Sequence, residues 1–161
     1  MLKDFSKSIL IQARLGSKRL KKKIFLKINS KTILDYMISQ LKKIENEFPI
    51  IIITTHKKID DEIINYCRKN NISYFRGNEK NVLKRYYDAS TKYKVKSIVR
   101  LTSDCPLVDP DTISNLYKIF QKNNLDYITT DSSFPDGNDV EIINFKSLSK
   151  LSLQHDKYNI C

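Results

Sequence analysis

The chain has 161 residues and a mass of 18.9 kDa, with 40% hydrophobic and 29% charged residues. This composition suits one globular domain and excludes collagen-like and low-complexity chains. The net charge of +11 taken alone would nominate nucleic acid as a partner. However, only six of the 29 basic residues are arginine. Lysine that fills solvent positions, as an AT-rich coding sequence would produce, explains the charge more simply, so we expect no nucleic-acid partner.

The sequence shows no signal for export or for membrane insertion. Its longest apolar run, Pro49–Ile53, is far too short to span a bilayer, and the N-terminus lacks the apolar stretch and cleavage site of a signal peptide. The cysteines are odd in number and widely spaced, which indicates reduced thiols rather than disulfides. We therefore expect a cytoplasmic protein with no membrane partner.

Short β-branched runs alternate with helical patterns along the chain. Strands are predicted at Ser8–Ala13, Ile50–Thr55, Ile72–Phe75, Ser97–Thr102 and Leu125–Thr130. Apolar spacing of 3.6 residues and a first-turn proline predict helices over Ile33–Ile44, over Asp60–Asn70, over Glu79–Tyr93 and from Pro110. This order predicts an α/β fold, with a mostly parallel sheet and helices on both faces, in a single domain over residues 1–161.

Right-handed crossovers place the carboxyl ends of parallel strands at one edge of the sheet, where ligands of such folds bind. The first strand leads there into the basic segment ARLGSKRLKKK. Gly16 and Ser17 can expose backbone N–H groups, and three side chains can reach phosphate oxygens: Arg14, Arg19 and Lys23. The segment is no Walker A loop, because it lacks the second glycine. It is either a phosphate cradle or a solvated basic loop.

Acidic residues follow later strands. Asp104 comes directly after a predicted strand, where a single carboxylate suits Mg²⁺, although a turn-capping role is equally common. The segment FPDGNDVEIIN predicts a turn and then a new strand with Asp139 and Glu141 on one face. These acids either bind a polar substrate or a metal, or form the solvent face of a hairpin. The segment 76–79 either contacts a base or ribose or is an ordinary loop.

In this order the segments resemble one known family. The motifs are IQARLGSKRLKKK, TTH, YFRGNEKNVLKRYYDA, IVRLTSDCPLVDP and FPDGNDVEI. They are similar to those of the CMP-sugar cytidylyltransferases, in the branch of spore-coat polysaccharide biosynthesis protein F, which is related to the acylneuraminate and Kdo cytidylyltransferases. The resemblance runs from about Ile9 to Ile143. It implies a Rossmann-like nucleotidyltransferase fold, a GT-A-like three-layer sandwich.

The resemblance implies that a sugar hydroxyl attacks the α-phosphate of CTP and that pyrophosphate leaves, with Mg²⁺ as the cofactor. The product would be a CMP-activated sugar, an acidic one, for surface polysaccharide, and a homodimer is a possible assembly. Arg14 and Lys23 would be the catalytic residues and would bind the phosphates. The residues implied near the nucleotide are Gln12, Ala13, Arg14, Gly16, Ser17, Arg19, Lys23, Thr54, Thr55, Arg76 and Gly77. The implied metal ligand is Asp104, and the sugar would face Asp136, Asp139 and Glu141.

The sequence departs from the family pattern in two respects. Lys21 stands where the family usually has proline. The chain also stops at Cys161, before the family's dimerisation segment, its basic sugar-contacting stretch and its late aspartate. We therefore expect a domain that lacks the C-terminal part, and the alternative function is a truncated, non-catalytic homologue that binds nucleotide or a partner subunit. A glycosyltransferase is disfavoured, because the segment around Asp104 is no DxD motif.

Overall fold

The computed structural model describes residues 4–16, 20–135 and 137–158, with side chains described as far as Gln154. The strands, numbered in chain order, are β1 Lys7–Gln12, β2 Lys27–Ile28, β3 Lys31–Thr32, β4 Ile50–Thr55, β5 Ser73–Gly77, β6 Ser97–Thr102, β7 Tyr127–Thr129 and β8 Glu141–Asn144. The α-helices are α1 Ile33–Leu41, α2 Asp61–Lys69, α3 Val82–Tyr93, α4 Pro110–Lys122 and α5 Phe145–Tyr158. Short 3-10 helices cover Lys23–Phe25, Lys42–Ile44 and Lys58–Asp60.

The main sheet has six strands in the order β5-β4-β1-β6-β8-β7. Strand β1 lies at its centre and pairs in parallel with β4 and β6, with Ile9 opposite both Ile50 and Val99. Strand β8 runs in the opposite direction to the other five strands of this sheet, since a loop rather than a crossover helix leads into it from β7. The prediction of a mostly parallel sheet is confirmed.

Alternating side chains of β1 enter two different cores. Ile9 and Ile11 pack in the larger core with helices α1, α2 and α4, whereas Leu10 packs on the opposite face with α3 and α5. This alternation follows from the pleat of a strand, which directs successive side chains to opposite faces. The predicted three-layer arrangement is confirmed.

The observed bounds differ from the predicted ones mainly at element ends. Strand β1 ends at Gln12, one residue before its predicted end, and β7 is shorter than the predicted Leu125–Thr130. Helix α3 begins at Val82 rather than Glu79, because the side chain of Asn81 accepts a hydrogen bond from the Lys84 N–H (2.8 Å) and caps the helix there.

The sequence prediction contains neither the short hairpin of β2 and β3 nor helix α5. The predicted strand carrying Asp139 and Glu141 on one face is wrong in its start, because β8 begins at Glu141 and Asp139 lies in the preceding loop. Within the described residues, no helix has both the length and the apolar character needed to cross a membrane.

Candidate functional site

Four parallel strands end side by side at one edge of the sheet. Gln12 of β1 pairs with Ile53 and Thr102, and Thr55 pairs with Gly77. The segments that follow these strands enclose a cavity of about 660 Å³. Its lining residues are Gln12, Arg14, Gly16, Lys23, Ile24, Lys57, Glu79, Thr102, Ser103 and Asp104. The edge of the sheet thus brings together five of the residues proposed from sequence: Gln12, Arg14, Gly16, Lys23 and Asp104.

The charges of the cavity are arranged as two ion pairs and one arginine. Lys23 Nζ lies 3.0 Å from Asp104 Oδ2, and Lys57 Nζ lies 2.5 Å from Glu79 Oε1. Arg14 is exposed at the cavity wall. Three cationic side chains therefore face two carboxylates, and the surplus favours an anionic ligand.

The loop after β1 is fixed by backbone contacts around Leu15. The Leu15 side chain is buried, its N–H donates to Asp60 Oδ1 (2.8 Å), and its carbonyl accepts from the Lys22 N–H (3.5 Å). A Cβ placed on Gly16 would meet no other atom within 4 Å. Gly16 lines the cavity, and the space beside its Cα is open.

Lys23 is held at the cavity by the segment that follows it. The 3-10 helix Lys23–Phe25 buries Ile24. The Phe25 ring packs against Tyr66 with a centroid distance of 5.7 Å. This anchoring brings Lys23 to Asp104, which is 81 residues away in sequence.

Asp104 is the carboxylate best suited to a cation. Partial burial would raise its pKa, but hydrogen bonds from Lys23 and Thr102 and the charge of Lys23 outweigh burial and lower the pKa below the ordinary value. Asp104 is therefore ionised at neutral pH. Within the described part of the chain, no group of three His, Cys, Asp or Glu side chains could form a metal cage. A single, partly exposed carboxylate such as Asp104 is compatible with Mg²⁺, which takes one or two protein carboxylates and fills its remaining positions with water and phosphate oxygens.

Four other residues proposed near the nucleotide do not line the cavity: Thr54, Thr55, Arg76 and Gly77. Both threonines are buried, and the Thr55 hydroxyl donates to the Asp60 carboxylate. The Arg76 guanidinium donates to the carbonyls of Thr55 and Lys57 (both 2.8 Å) and to Asp61 Oδ1 (2.6 Å). The side chains of Thr55 and Arg76 therefore support the loops behind the cavity.

The absence of a side chain at Gly77 leaves room for the buried side chain of Arg85. A Cβ at Gly77 would lie 2.9 Å from Phe75 Cε1 and 3.0 Å from Arg85 Cγ. Arg85 is 1% exposed, donates to the Asn78 carbonyl (2.8 Å), and leaves its Nε without a partner. Burial lowers the pKa of this guanidinium, and the nearby positive charge of Arg14 lowers it further. A cationic group therefore lies close behind the loop that carries Glu79.

The remaining sequence proposals fall elsewhere. Ser17, Arg19 and Asp136 lie outside the described residues, and Ala13 is buried directly before the loop. Asp139 is exposed. It does not line the cavity.

Glu141 lies in a second cleft, of about 420 Å³, where it forms an ion pair with Arg100. The residues that line this cleft are Val82, Leu83, Tyr86, Arg100, Tyr127, Glu141, Ile143, Ser147, Leu148 and Leu151. Apart from the ion pair, the lining is mostly apolar. The structure therefore does not bring Glu141 together with the residues that line the strand-edge cavity.

Sequence reasoning proposed no specific role for Lys57, Glu79 or Asp60. Lys57 and Glu79 come two residues after the ends of β4 and β5, so their positions after strands were the available signal. Asp60 carried no such signal, because an aspartate at the start of a helix is ordinarily its cap.

The chain is similar to proteins of several organisms. It is 41% identical over 141 residues to an uncharacterized protein of Methanocaldococcus jannaschii, covering 88% of this chain and 58% of that protein. It is 30% identical over 156 residues to the spore coat polysaccharide biosynthesis protein SpsF of Bacillus subtilis, covering 92% of this chain and 65% of that protein. The chain thus spans about three fifths of the length of these curated relatives.

A solved structure matches the fold closely. The structure of a cytidylyltransferase from Leptospira borgpetersenii superposes with a TM-score of 0.87 at 36% identity, covering 97% of this chain and 65% of that one. The family model described as cytidylyltransferase matches residues 8–160. Together with the strand-edge cavity, this match shows that the chain belongs to the cytidylyltransferase family.

Proposed function

We propose that the chain binds CTP and transfers CMP to a sugar hydroxyl with release of pyrophosphate. The observation that carries this proposal is the cavity itself, in which the loop of Arg14 and Gly16 meets Lys23 and the carboxylate of Asp104. Membership of the cytidylyltransferase family supports CTP as the nucleotide.

In this reaction the sugar hydroxyl loses its proton to solvent, its oxygen forms a bond to the α-phosphorus, and the bond from that phosphorus to the departing pyrophosphate breaks. Such chemistry depends on positioning and charge neutralisation more than on covalent help from the protein. Arg14 and Lys23 would neutralise the phosphate oxygens, and the open backbone at Gly16 would let them approach closely. Lys23 would exchange its contact with Asp104 for one with a phosphate.

Asp104 would hold Mg²⁺, as its ionised, partly exposed carboxylate allows. When bound, the ion would neutralise negative charge on the triphosphate. Asp136, Asp139 and Glu141 stay predicted sugar-facing residues.

An acidic sugar is the substrate class that we propose. The cationic surplus of the cavity supports it, and the printed name of the Bacillus subtilis relative refers to polysaccharide biosynthesis. A cytoplasmic location, where CTP is made, and a homodimeric assembly also belong to the proposal.

The test is pyrophosphate release from CTP and Mg²⁺ in the presence of a panel of sugar acids. Turnover is expected for the wild-type chain and for the control Lys118→Ala, which removes an exposed lysine from α4. Asp104→Asn should abolish turnover while the circular dichroism spectrum stays unchanged.

Other outcomes favour other functions. Calorimetric binding of CTP without turnover on any sugar would support the non-catalytic homologue. A folded wild-type chain that binds no CTP would contradict the proposal, and affinity for duplex DNA that falls steeply with salt would indicate a nucleic-acid-binding protein instead.

A further inference from the structure

Asp60 occupies the position of a helix cap without acting as one. It directly precedes α2, yet its carboxylate makes no capping hydrogen bond to that helix. An aspartate at this position ordinarily accepts from an N–H two or three residues further on. Here Oδ1 accepts from the Leu15 N–H (2.8 Å), and Oδ2 accepts from the Thr55 hydroxyl. The carboxylate thus connects Asp60 to Leu15, which is 45 residues away in sequence.

The burial of Asp60 shows that this contact is closed to solvent. Asp60 is 1% exposed, as are Leu15 and Thr55. Removing a buried acceptor leaves its donors without partners, because water cannot replace it. The two hydrogen bonds therefore constrain the backbone at Leu15 more firmly than exposed contacts would.

Leu15 lies between the two residues of the loop that face the cavity, Arg14 and Gly16. Its side chain, its N–H and its carbonyl are each engaged, by the core, by Asp60 and by Lys22. Of these three contacts, the one to Asp60 ties the loop to the end of the neighbouring strand β4. The backbone directly after Arg14 is therefore held at Asp60.

The same carboxylate also supports a second wall of the cavity. The Thr55 hydroxyl that donates to Asp60 accepts in turn from the Lys57 N–H (3.1 Å), and Lys57 lines the cavity, where it pairs with Glu79. The same buried carboxylate is therefore linked to the backbone beside two cationic side chains of the cavity, Arg14 and Lys57.

We propose that Asp60 is a positioning residue for phosphate binding, which acts through the Leu15 backbone to orient Arg14 and through Thr55 to orient Lys57. The proposal rests on the proposed function insofar as the cavity binds a nucleotide's phosphates. Asp60 itself does not line the cavity and would not touch the ligand.

The direct test is Asp60→Asn, which leaves one acceptor oxygen in place of two and removes the negative charge of the carboxylate. We expect binding of inorganic pyrophosphate and of CTP with Mg²⁺ to weaken by about tenfold to a hundredfold, because a small misplacement of binding groups has effects of this size. Calorimetry well below the unfolding temperature of each variant measures this. Ile113→Val, a core change in α4, is the control for lost stability alone.

A double-mutant cycle with Arg14→Ala separates positioning from general structure. If Asp60 acts through Arg14, Asp60→Asn should weaken pyrophosphate binding far less in the Arg14→Ala background than in the wild type, while it lowers the unfolding temperature equally in both. Equal weakening in both backgrounds, or an unchanged dissociation constant in Asp60→Asn, would overturn the inference and leave the proposed function intact.

Two further outcomes complete the test. If Asp60→Asn does not fold, Thr55→Val removes one of the two hydrogen bonds, and a several-fold weaker binding of pyrophosphate is expected from it; unchanged binding would overturn the inference. If the folded wild-type chain binds neither pyrophosphate nor CTP, the proposed function fails first and the role of Asp60 fails with it.

Discussion

Two clefts in the described part of the molecule differ in size, about 660 and 420 Å³, and in character. The cavity at the ends of β1, β4, β5 and β6 is lined mainly by charged and polar side chains, whereas the cleft between α3, α5 and β8 is mainly apolar with one ion pair. The first lies where loops follow parallel strands, and the second lies where a late helix packs across the sheet. The contrast indicates that only the first is built for a polyanion.

The two clefts also differ in how their polar groups are supported. Behind the charged cavity, Asp60, Thr55 and Arg76 form a connected network of buried or half-buried hydrogen bonds. In the apolar cleft, the ion pair of Arg100 and Glu141 joins directly opposed residues of adjacent strands. The first arrangement holds loops in place, whereas the second stabilises a strand pair.

Among the changes that compare the two clefts, the largest effect is expected from Arg14→Ala. In the proposed function Arg14 neutralises charge in the transition state, so its removal should lower kcat/KM for CTP by about 10²- to 10³-fold. The change should leave thermal unfolding nearly unaltered, because Arg14 is exposed. Pyrophosphate release measures the activity. If Arg100→Met reduced turnover as much, the distinction between the clefts would fail.

The second prediction compares two glycines. Gly77→Ala should destabilise the fold by about 1–3 kcal/mol, because the new Cβ would overlap the side chains of Phe75 and Arg85. Gly16→Ala should change stability by roughly 0.5 kcal/mol or less, since its Cβ meets open space, but it should weaken CTP binding. Urea unfolding and calorimetry measure the two quantities. Equal stability losses would contradict the described loop geometry.

A smaller effect is expected from Arg100→Met. Breaking its half-buried ion pair with Glu141 should cost about 1–2 kcal/mol of unfolding free energy, between the values for exposed and buried pairs. CTP affinity should not change. Adding Glu141→Gln should recover part of the lost stability, because no unpaired carboxylate remains. Chemical denaturation of the single and double variants tests this.

The smallest effect is expected from Leu151→Ser on the rim of the apolar cleft. Leu151 is 47% exposed, so a single chain should lose about 0.5 kcal/mol or less. The measurement is thermal unfolding combined with analytical ultracentrifugation. A much larger loss, or a change in oligomeric state, would show that this cleft is covered in solution.

The sequence predicted the main sheet well where strands are continuous apolar runs. Ile50–Thr55 and Ser97–Thr102 match β4 and β6 residue for residue, because a strand covered on both faces leaves an unambiguous pattern. Prediction was weaker at β7 and α5, at the side of the sheet where the strands are short and only partly buried. Their boundaries depend on the contacts of neighbouring elements, which no local pattern contains.

For the site, the local pattern identified which residues follow strands, and Arg14, Gly16, Lys23 and Asp104 do line one cavity. It could not assign Arg76, whose guanidinium is engaged by the backbone carbonyls of Thr55 and Lys57. The local pattern also could not show that Glu141 lines the second cleft rather than the strand-edge cavity. Such assignments depend on which way a side chain points across strand neighbours, and that is a property of the assembled sheet.

The sequence by itself determined the layered α/β architecture, since periodicity and chain order are local properties. It also placed a basic loop and an aspartate at the carboxyl edge of the sheet. Only the tertiary structure decided that Lys23 pairs with Asp104 across 81 residues, and that the Asp60 carboxylate accepts from the Leu15 N–H instead of capping its own helix. Both contacts join segments distant in sequence, and their geometry exists only when the core between them has packed.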